Sequence, residues 1–277
     1  MTDLKGKTAL ITGASAGIGA TLVNTLAREG LHLALVARSA ERLEKNAEQA
    51  RNLGVNAVAI PADVTVAADR ARLLTEAEAA LGPIDILINN AGVEEVVAFA
   101  DQSEDSIRHT VEVNLMATLL LTRAVLPGMI ERGYGHIVQM SSIAAKAGAP
   151  YGAVYSATKA ALQIHAQGLH AELDGTGVAI STILPGFVGQ AGMFARFGLK
   201  APSWMGETTP DKVAAGVVKA LKTRRFQVVV NPTPMGLSFV LSTLWPDLIT
   251  PISKRMGVLD MQRRIVTENK GRDWWKS

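Results

Sequence analysis

The sequence predicts an α/β protein: a doubly wound parallel sheet of about seven strands with helices on both faces. Two observations carry this. Over the first 230 of 277 residues, short β-branched runs alternate with longer helical segments, the pattern of strands joined by crossover helices. Nearly all of those runs are continuously apolar, as strands buried on both faces must be. At roughly 150 residues per domain the length allows one or two domains, and a single α/β domain commonly reaches about 250.

The strands fall at residues 8–12, 32–37, 56–60, 84–89, 136–140, 178–184 and 226–230. The first runs into a glycine-rich turn and a helix over 20–28. Ser39, with Glu41 in the following turn, is placed to cap the next helix: a side-chain oxygen there accepts a free amide, and an acid opposes the helix dipole. Thr65 is expected to cap another. Thr209, followed by Pro210 and Asp211, opens a later one, because proline fits where its missing N–H would be unpaired anyway. Residues 155–162 read as helix. Right-handed crossovers then give the doubly wound sheet.

Two segments break the rhythm. Residues 187–207 carry Phe187, Met193, Phe194, Phe197, Leu199, Trp204 and Met205 among four glycines, which reads as a mobile substrate lid or as a surface loop with a short buried helix. Residues 231–277 form an amphipathic extension, with Leu237, Val240, Leu241, Leu244, Trp245, Leu248, Ile249 and Ile252 at the spacing of one helix face, broken by Pro246 and Pro251.

Composition narrows the function. Apolar residues are 48% of the chain and charged residues 19%, against disorder or a charged binding tail. The net charge of +3 comes from dispersed Lys and Arg, so nucleic acid is not an expected partner. The absence of cysteine removes disulfides, thiolate metal sites and cysteine nucleophiles. Residues 1–7 lack a signal-peptide pattern, so a cytoplasmic location is expected. No uninterrupted apolar run approaches the roughly 18 to 20 residues of a spanning helix; residues 235–245 are too short and stop at Pro246 and Asp247. Assembly as a homo-oligomer is expected.

The first strand leads into Thr12-Gly13-Ala14-Ser15-Ala16-Gly17-Ile18-Gly19. Glycines at a strand-to-helix turn let the backbone approach a pyrophosphate and leave helix amides pointing at the anion. The spacing, Gly-x-x-x-Gly-x-Gly, varies the familiar fingerprint, and the strand before and helix after it mark a dinucleotide site. About twenty residues on, where an NAD-selective protein would place an acid against the ribose 2′-hydroxyl, the chain has Ala37-Arg38-Ser39. Arg38 could pair with a 2′-phosphate, favouring NADP over NAD; the alternative is a solvated strand-end Arg beside a capping Ser39.

Tyr155 and Lys159 stand four apart on one helix face. A tyrosine beside an ammonium is an acid/base candidate, because the cation favours phenolate; alone, the pair could equally be a surface pair. The five histidines, His32, His109, His136, His165 and His170, show no ligand spacing with carboxylates, so they read as core or surface residues and no metal is expected.

Together, the turn at Gly13 to Gly19, Asn89-Asn90-Ala91-Gly92, Asn114, Ser142 thirteen residues before Tyr155, the Tyr155/Lys159 pair and Pro185-Gly186 resemble the short-chain dehydrogenase/reductase family in its single-domain form. The resemblance spans about residues 5–230. It implies a Rossmann-type dinucleotide-binding and catalytic domain over residues 1–230. It implies Tyr155 as proton donor in reduction or base in oxidation, Ser142 on the substrate oxygen, Lys159 on the nicotinamide ribose and lowering the Tyr155 pKa, and Asn114 holding a water that links Lys159 to solvent. Gly13, Ser15, Gly17, Ile18 and Gly19 would hold the pyrophosphate and Arg38 and Ser39 the 2′-phosphate. Asp63 and Val64 would lie beside the adenine, Asn90, Ala91 and Gly92 beside the adenosine ribose, and Pro185, Gly186 and Val188 beside the nicotinamide. From the residues alone, Asp63 could be a turn former and Asn114 a satisfied buried amide. Two positions depart from the family: Ala145 stands where glycine is usual, and Gln190 where a threonine would bond the nicotinamide carboxamide.

The function expected is an NADP(H)-dependent carbonyl reductase or alcohol dehydrogenase. The apolar lid and extension, with no cluster of Arg or Lys, point to a bulky hydrophobic ketone or secondary alcohol. The extension covers the pocket mouth, rests on a membrane surface, or packs on its own or a neighbouring subunit. The alternative is a non-catalytic dinucleotide-binding regulatory or membrane-surface scaffold protein.

Overall fold

The computed structural model describes residues 2–268; the last nine residues of the predicted extension, and the side chain of Ile249, lie outside the described set. Seven parallel strands form one sheet: β1 (Thr8–Thr12), β2 (His32–Ala37), β3 (Ala57–Pro61), β4 (Ile86–Asn89), β5 (Gly135–Met140), β6 (Val178–Pro185) and β7 (Gln227–Val230). Their order across the sheet is β3-β2-β1-β4-β5-β6-β7. The crossovers carry α1 (Gly17–Arg28), α2 (Ala40–Asn52), α3 (Ala67–Leu81), α4 (Glu104–Val111), α5 (Ala117–Glu131), α6 (Ala153–Glu172) and α7 (Pro210–Thr223).

The strands are apolar throughout because both faces are covered. Along β1, Ala9 and Ile11 join Leu33 and Leu35 of β2 in a layer with α1, α2 and α7. Leu10, between them, joins Ala34 and Val36 in the opposite layer with α3, α5 and α6. The period of two thus distributes one hydrophobic run between two cores.

The expected caps are met unevenly. Thr209 accepts from the Lys212 amide at 3.3 Å and Pro210 opens α7. Ser39 holds the cap position of α2 but makes no capping hydrogen bond. Thr65 does not cap α3: its amide and hydroxyl both donate to Asp63 Oδ1, at 2.9 and 2.7 Å, and the helix starts beyond Val66. The carboxylate competes successfully for the donors of its own turn.

Between α4 and α5 the chain makes a π turn, Glu112–Met116, so that Glu104–Glu131 is one continuous helix of 28 residues with a mean hydropathy of 1.5 in its most apolar window. That is long and apolar enough to cross a membrane, a feature missed in the sequence because Arg108, Glu112 and Arg123 interrupt the run. Its buried residues Leu121, Val125 and Met129 pack with Ile137 and Ile180 of the sheet.

The extension folds as α8 (Gly236–Leu244), a short turn Pro246–Leu248, α9 (Ile249–Arg255) and α10 (Val258–Glu268). Pro246 separates helices as expected. Pro251 does not, because it lies in the first turn of α9 where its missing N–H has no helical partner to lose. Residues 187–207 form a loop with one short helical turn, Phe194–Phe197, whose base is joined through Val188 and Thr208. Phe194 and Phe197 pack with Val96, Met261 and Ile265, and Trp204 Nε1 donates to Met256 O at 2.9 Å. The two segments that broke the sequence rhythm therefore pack on one another.

His136 in β5 is buried. Ser181 donates its only hydroxyl proton to Arg225 O at 2.7 Å, so its oxygen accepts from His136 Nε2, 2.8 Å away. Burial, with the Arg224 guanidinium acting in the same direction, pushes the imidazole down to about 3. A folded value below the unfolded one means this site's contribution to stability is complete above about pH 6.5 and is lost as pH falls toward 3, at up to ~1.4 kcal/mol per pH unit. His136→Gln should give a shallower fall in the urea midpoint between pH 6.5 and 4 than the parent protein, and parallel slopes would contradict this.

Candidate active site

Strand order reverses between β1 and β4, and the crevice at their carboxyl ends is where an open α/β sheet binds ligands. Thr12 Oγ1 accepts from the amides of Asn90 and Ala91, both at 3.0 Å. Asn90 Nδ2 returns a hydrogen bond to Thr12 O at 3.0 Å. Against this junction sits the glycine turn. Gly13 has φ +67° and any Cβ would stand 2.9 Å from Ala91 Cα; a Cβ on Gly19 would stand 2.0 Å from Gly13 O. Only glycine permits that approach of turn to helix.

α1 begins with no side-chain cap and no acid in its first turn, so no cap among the described residues takes up its leading amides. That suits an anion. A cavity of about 1240 Å³ opens from here. Every residue expected at the site lines it except Asn114: Gly13, Ser15, Gly17, Ile18, Gly19, Arg38, Ser39, Asp63, Val64, Asn90, Ala91, Gly92, Ser142, Tyr155, Lys159, Pro185, Gly186 and Val188. The pyrophosphate cradle, the end of β2 and the Tyr155 region thus belong to one space.

At the end of β2, Arg38 and Ser39 are joined by Arg42, which sequence reasoning missed although its spacing of three from Ser39 along α2 places both on one face. Asp63 lines the cavity while its carboxylate organises the turn to Thr65. The turn-forming reading of that residue is thus met.

Tyr155 and Lys159 project from α6 and are buried. Lys159 Nζ donates to Met140 O at 2.8 Å and lies 5.6 Å from the Tyr155 ring centroid. Ser142 Oγ accepts from Ala144 N at 3.1 Å, leaving its proton to donate. Asn114, in the π turn, sits behind the cavity wall. Its Oδ1 accepts from Val93 N at 2.8 Å, while its Nδ2 donates to Val93 O at 2.8 Å and to Thr158 Oγ1 at 3.2 Å. Its amide therefore ties the segment after β4 to α6.

Burial dominates the electrostatics of the reacting groups. Burial pushes the Tyr155 phenol above its ordinary value, the Glu94 carboxylate pushes further in the same direction, and the hydrogen bond with Ser142 opposes both. The Lys159 ammonium is directed at Met140 O, with the Tyr155 ring beside it. Lys159 itself is pushed down to about 8 by burial, against the pull of Glu94.

Glu94 and His109 also line the cavity. Neither position had a motif to mark it, and His109 belongs to neither the core nor the open surface. Ala145 is accommodated because the short turn Ile143–Ala145 has no positive φ. Gln190 lines the cavity with φ +66°.

An uncapped helix end at a topological switch point, sharing one cavity with two hydroxyls and a buried ammonium, defines the class of dinucleotide-binding α/β oxidoreductases. The short chain dehydrogenase family model matches residues 7–200, and the chain belongs to that family. It is 39% identical over 278 aligned positions to the ketoacyl reductase HetN of Nostoc sp., covering 99% of this chain and 96% of the relative. A metagenomic short-chain oxidoreductase solved with NADP is 31% identical with a TM-score of 0.71, over 84% of this chain and all of that one. A short-chain dehydrogenase from Sphingobium yanoikuyae solved with NADPH is also 31% identical, with a TM-score of 0.76 over 88% of this chain and 95% of that one.

Proposed function

We propose that this chain is an NADP(H)-dependent oxidoreductase that interconverts a carbonyl and an alcohol, acting on a bulky hydrophobic ketone or secondary alcohol. The observation that carries the reading is that Ser142, Tyr155 and Lys159 line the same cavity as the glycine turn. When bound, the nicotinamide supplies or accepts the hydride. The chain's own residues manage charge and proton. As negative charge develops on the carbonyl oxygen, Ser142 donates a hydrogen bond to it and Tyr155 Oη gives up its proton. A phenol held protonated suits the donor role in reduction. Lys159, still largely cationic below its value of about 8, favours the phenolate that results. The reductase name of the Nostoc relative supports this reading.

For the cofactor, Arg38, Ser39 and Arg42 supply positive charge and a hydroxyl at the end of β2, and no acid stands at Ala37-Arg38-Ser39 to meet a free 2′-hydroxyl. Neighbours solved with NADP, NADPH and NAD support a nicotinamide dinucleotide, and the preference for NADP rests on Arg38, Ser39 and Arg42. For the substrate, Phe187, Phe194, Phe197, Trp204, Leu237 and Phe239 make the far wall apolar, and such walls hold ligands by buried area.

The cavity mouth supports a further part of the reading, contact with an anionic lipid surface. Leu237, Trp245, Leu248, Ile252 and Met256 line the cavity and are also exposed, Leu237 to 73%. Residues 231–277 hold seven Lys or Arg against four Asp or Glu, while residues 1–230 balance. An apolar rim with basic neighbours suits the headgroup region, from which hydrophobic substrates would enter directly.

In a homologous series of ketones with NADPH, kcat/KM should climb with apolar size to a plateau, and Tyr155→Phe should remove turnover while NADPH affinity stays nearly unchanged. A Tyr155→Phe enzyme keeping more than about a tenth of kcat, a loss of only ~1.4 kcal/mol, would take the acid/base role from Tyr155. Titration of both cofactors should show tighter NADPH binding, with Arg38→Asp reversing the order by like-charge repulsion; equal affinities in the parent protein would remove Arg38 from cofactor selection. In flotation assays the protein should rise with vesicles containing phosphatidylserine and remain below with phosphatidylcholine alone. Val240→Asp with Leu244→Asp, both exposed and outside the cavity lining, should abolish flotation, and unaltered flotation would overturn the lipid contact.

A further inference from the structure

Beyond β4, residues 93–97 are anchored at alternate positions. Val93 is held by both ends of the Asn114 amide. Glu95 accepts from Ser106 Oγ and from Gln102 Nε2. The Val97 amide donates to Tyr151 O at 2.9 Å. Val93, Glu94 and Val96 line the cavity along this segment. Glu95 is thus occupied with the fold, whereas the Glu94 carboxylate has no hydrogen-bond or ion-pair partner among the described residues.

Glu94 Oε1 lies 3.7 Å from where a Cβ on Gly152 would stand, and Gly152 is the cap position of α6, about one helical turn before Tyr155. The carboxyl is close enough to Lys159 and Tyr155 to act on both, and burial raises it to about 7 against the pull of Lys159. Half-buried on the cavity wall, the carboxylate is available to accept a hydrogen bond from a bound ligand.

Resting on the carbonyl-reductase reading, we propose that Glu94 selects substrates bearing a hydroxyl a few bonds from the reacting carbonyl, accepting that hydroxyl's hydrogen bond while the carbonyl oxygen meets Ser142 and Tyr155. The donor is a hydroxyl and not an ammonium because Lys159 already places a cation at this end of the cavity, and a second would be repelled. The preferred substrate is therefore a hydrophobic hydroxyketone, or the corresponding diol in oxidation.

A purely structural Glu94 would act instead on the uncapped start of α6 and alter every substrate alike. The test is NADPH-dependent reduction of an aryl ketone with an α-hydroxyl, its α-methoxy ether and its α-ammonium analogue by the parent protein, Glu94→Gln and Glu94→Ala. The parent should favour hydroxyl over ether by tenfold or more in kcat/KM. Glu94→Ala should reduce that ratio below about twofold, and Glu94→Gln, which keeps an acceptor, should fall between them. An unchanged ratio in Glu94→Ala, or preference of the parent for the ammonium analogue, overturns the assignment while leaving the carbonyl-reductase reading intact. Failure of the parent protein to reduce any of the three overturns both.

Discussion

The hydrogen bonds between Thr12 and Asn90 fix where the two halves of the sheet part company. β1 connects toward β2 and β3, β4 toward β5, β6 and β7, and the crevice between the two directions needs its edges held in register. A single threonine hydroxyl accepts two successive amides across it, and the asparagine side chain closes the exchange. The glycine turn can then rest against Ala91, and the start of α1 takes its direction from that contact. Loosening this junction would misplace the anion-binding amides and the strand leading to Val93 together.

From Val93 the constraint passes to the reacting groups. Asn114 grips Val93 and, through Thr158, reaches α6 one residue from Lys159. Glu94, Tyr155 and Lys159 consequently line one cavity, in which the carboxylate acts on both neighbours. The carboxylate opposes loss of the phenol's proton and favours the ammonium. The acid form of Tyr155 follows from burial and the Glu94 carboxylate, a point that the four-residue spacing of tyrosine and lysine cannot convey.

Most of the framework was legible because strands buried on both faces write themselves as unbroken apolar runs, and because Gly13, Gly17 and Gly19 meet steric demands only glycine satisfies. Thr209-Pro210-Asp211 was equally readable, since its chemistry is local. The failures had non-local causes. Thr65 was lost as a cap to the Asp63 carboxylate, and Pro251 was tolerated because the chain turned to put it at a helix start. Arg42 was hidden among other charges of α2. Glu94 carried no motif, and only the alternate anchoring of its neighbours, through residues twenty and fifty positions away, turns it inward. Why Gln190 adopts a left-handed backbone has no evident physical cause in its surroundings.

The π turn at Glu112–Met116 carries a consequence for how this chain can vary. Each helical residue advances about 100° around the axis, so the wider turn rotates everything after it relative to an uninterrupted α-helix. Asn114 faces inward at that point, while Ser106 before it and Leu121, Val125 and Met129 after it still meet their partners. A one-residue deletion elsewhere in the helix, where no wide turn absorbs it, would swing the later aliphatic stripe by about 100° away from the sheet. The spacing between these residues is therefore fixed more tightly than their identities: leucine can give way to methionine here more easily than the count can change by one.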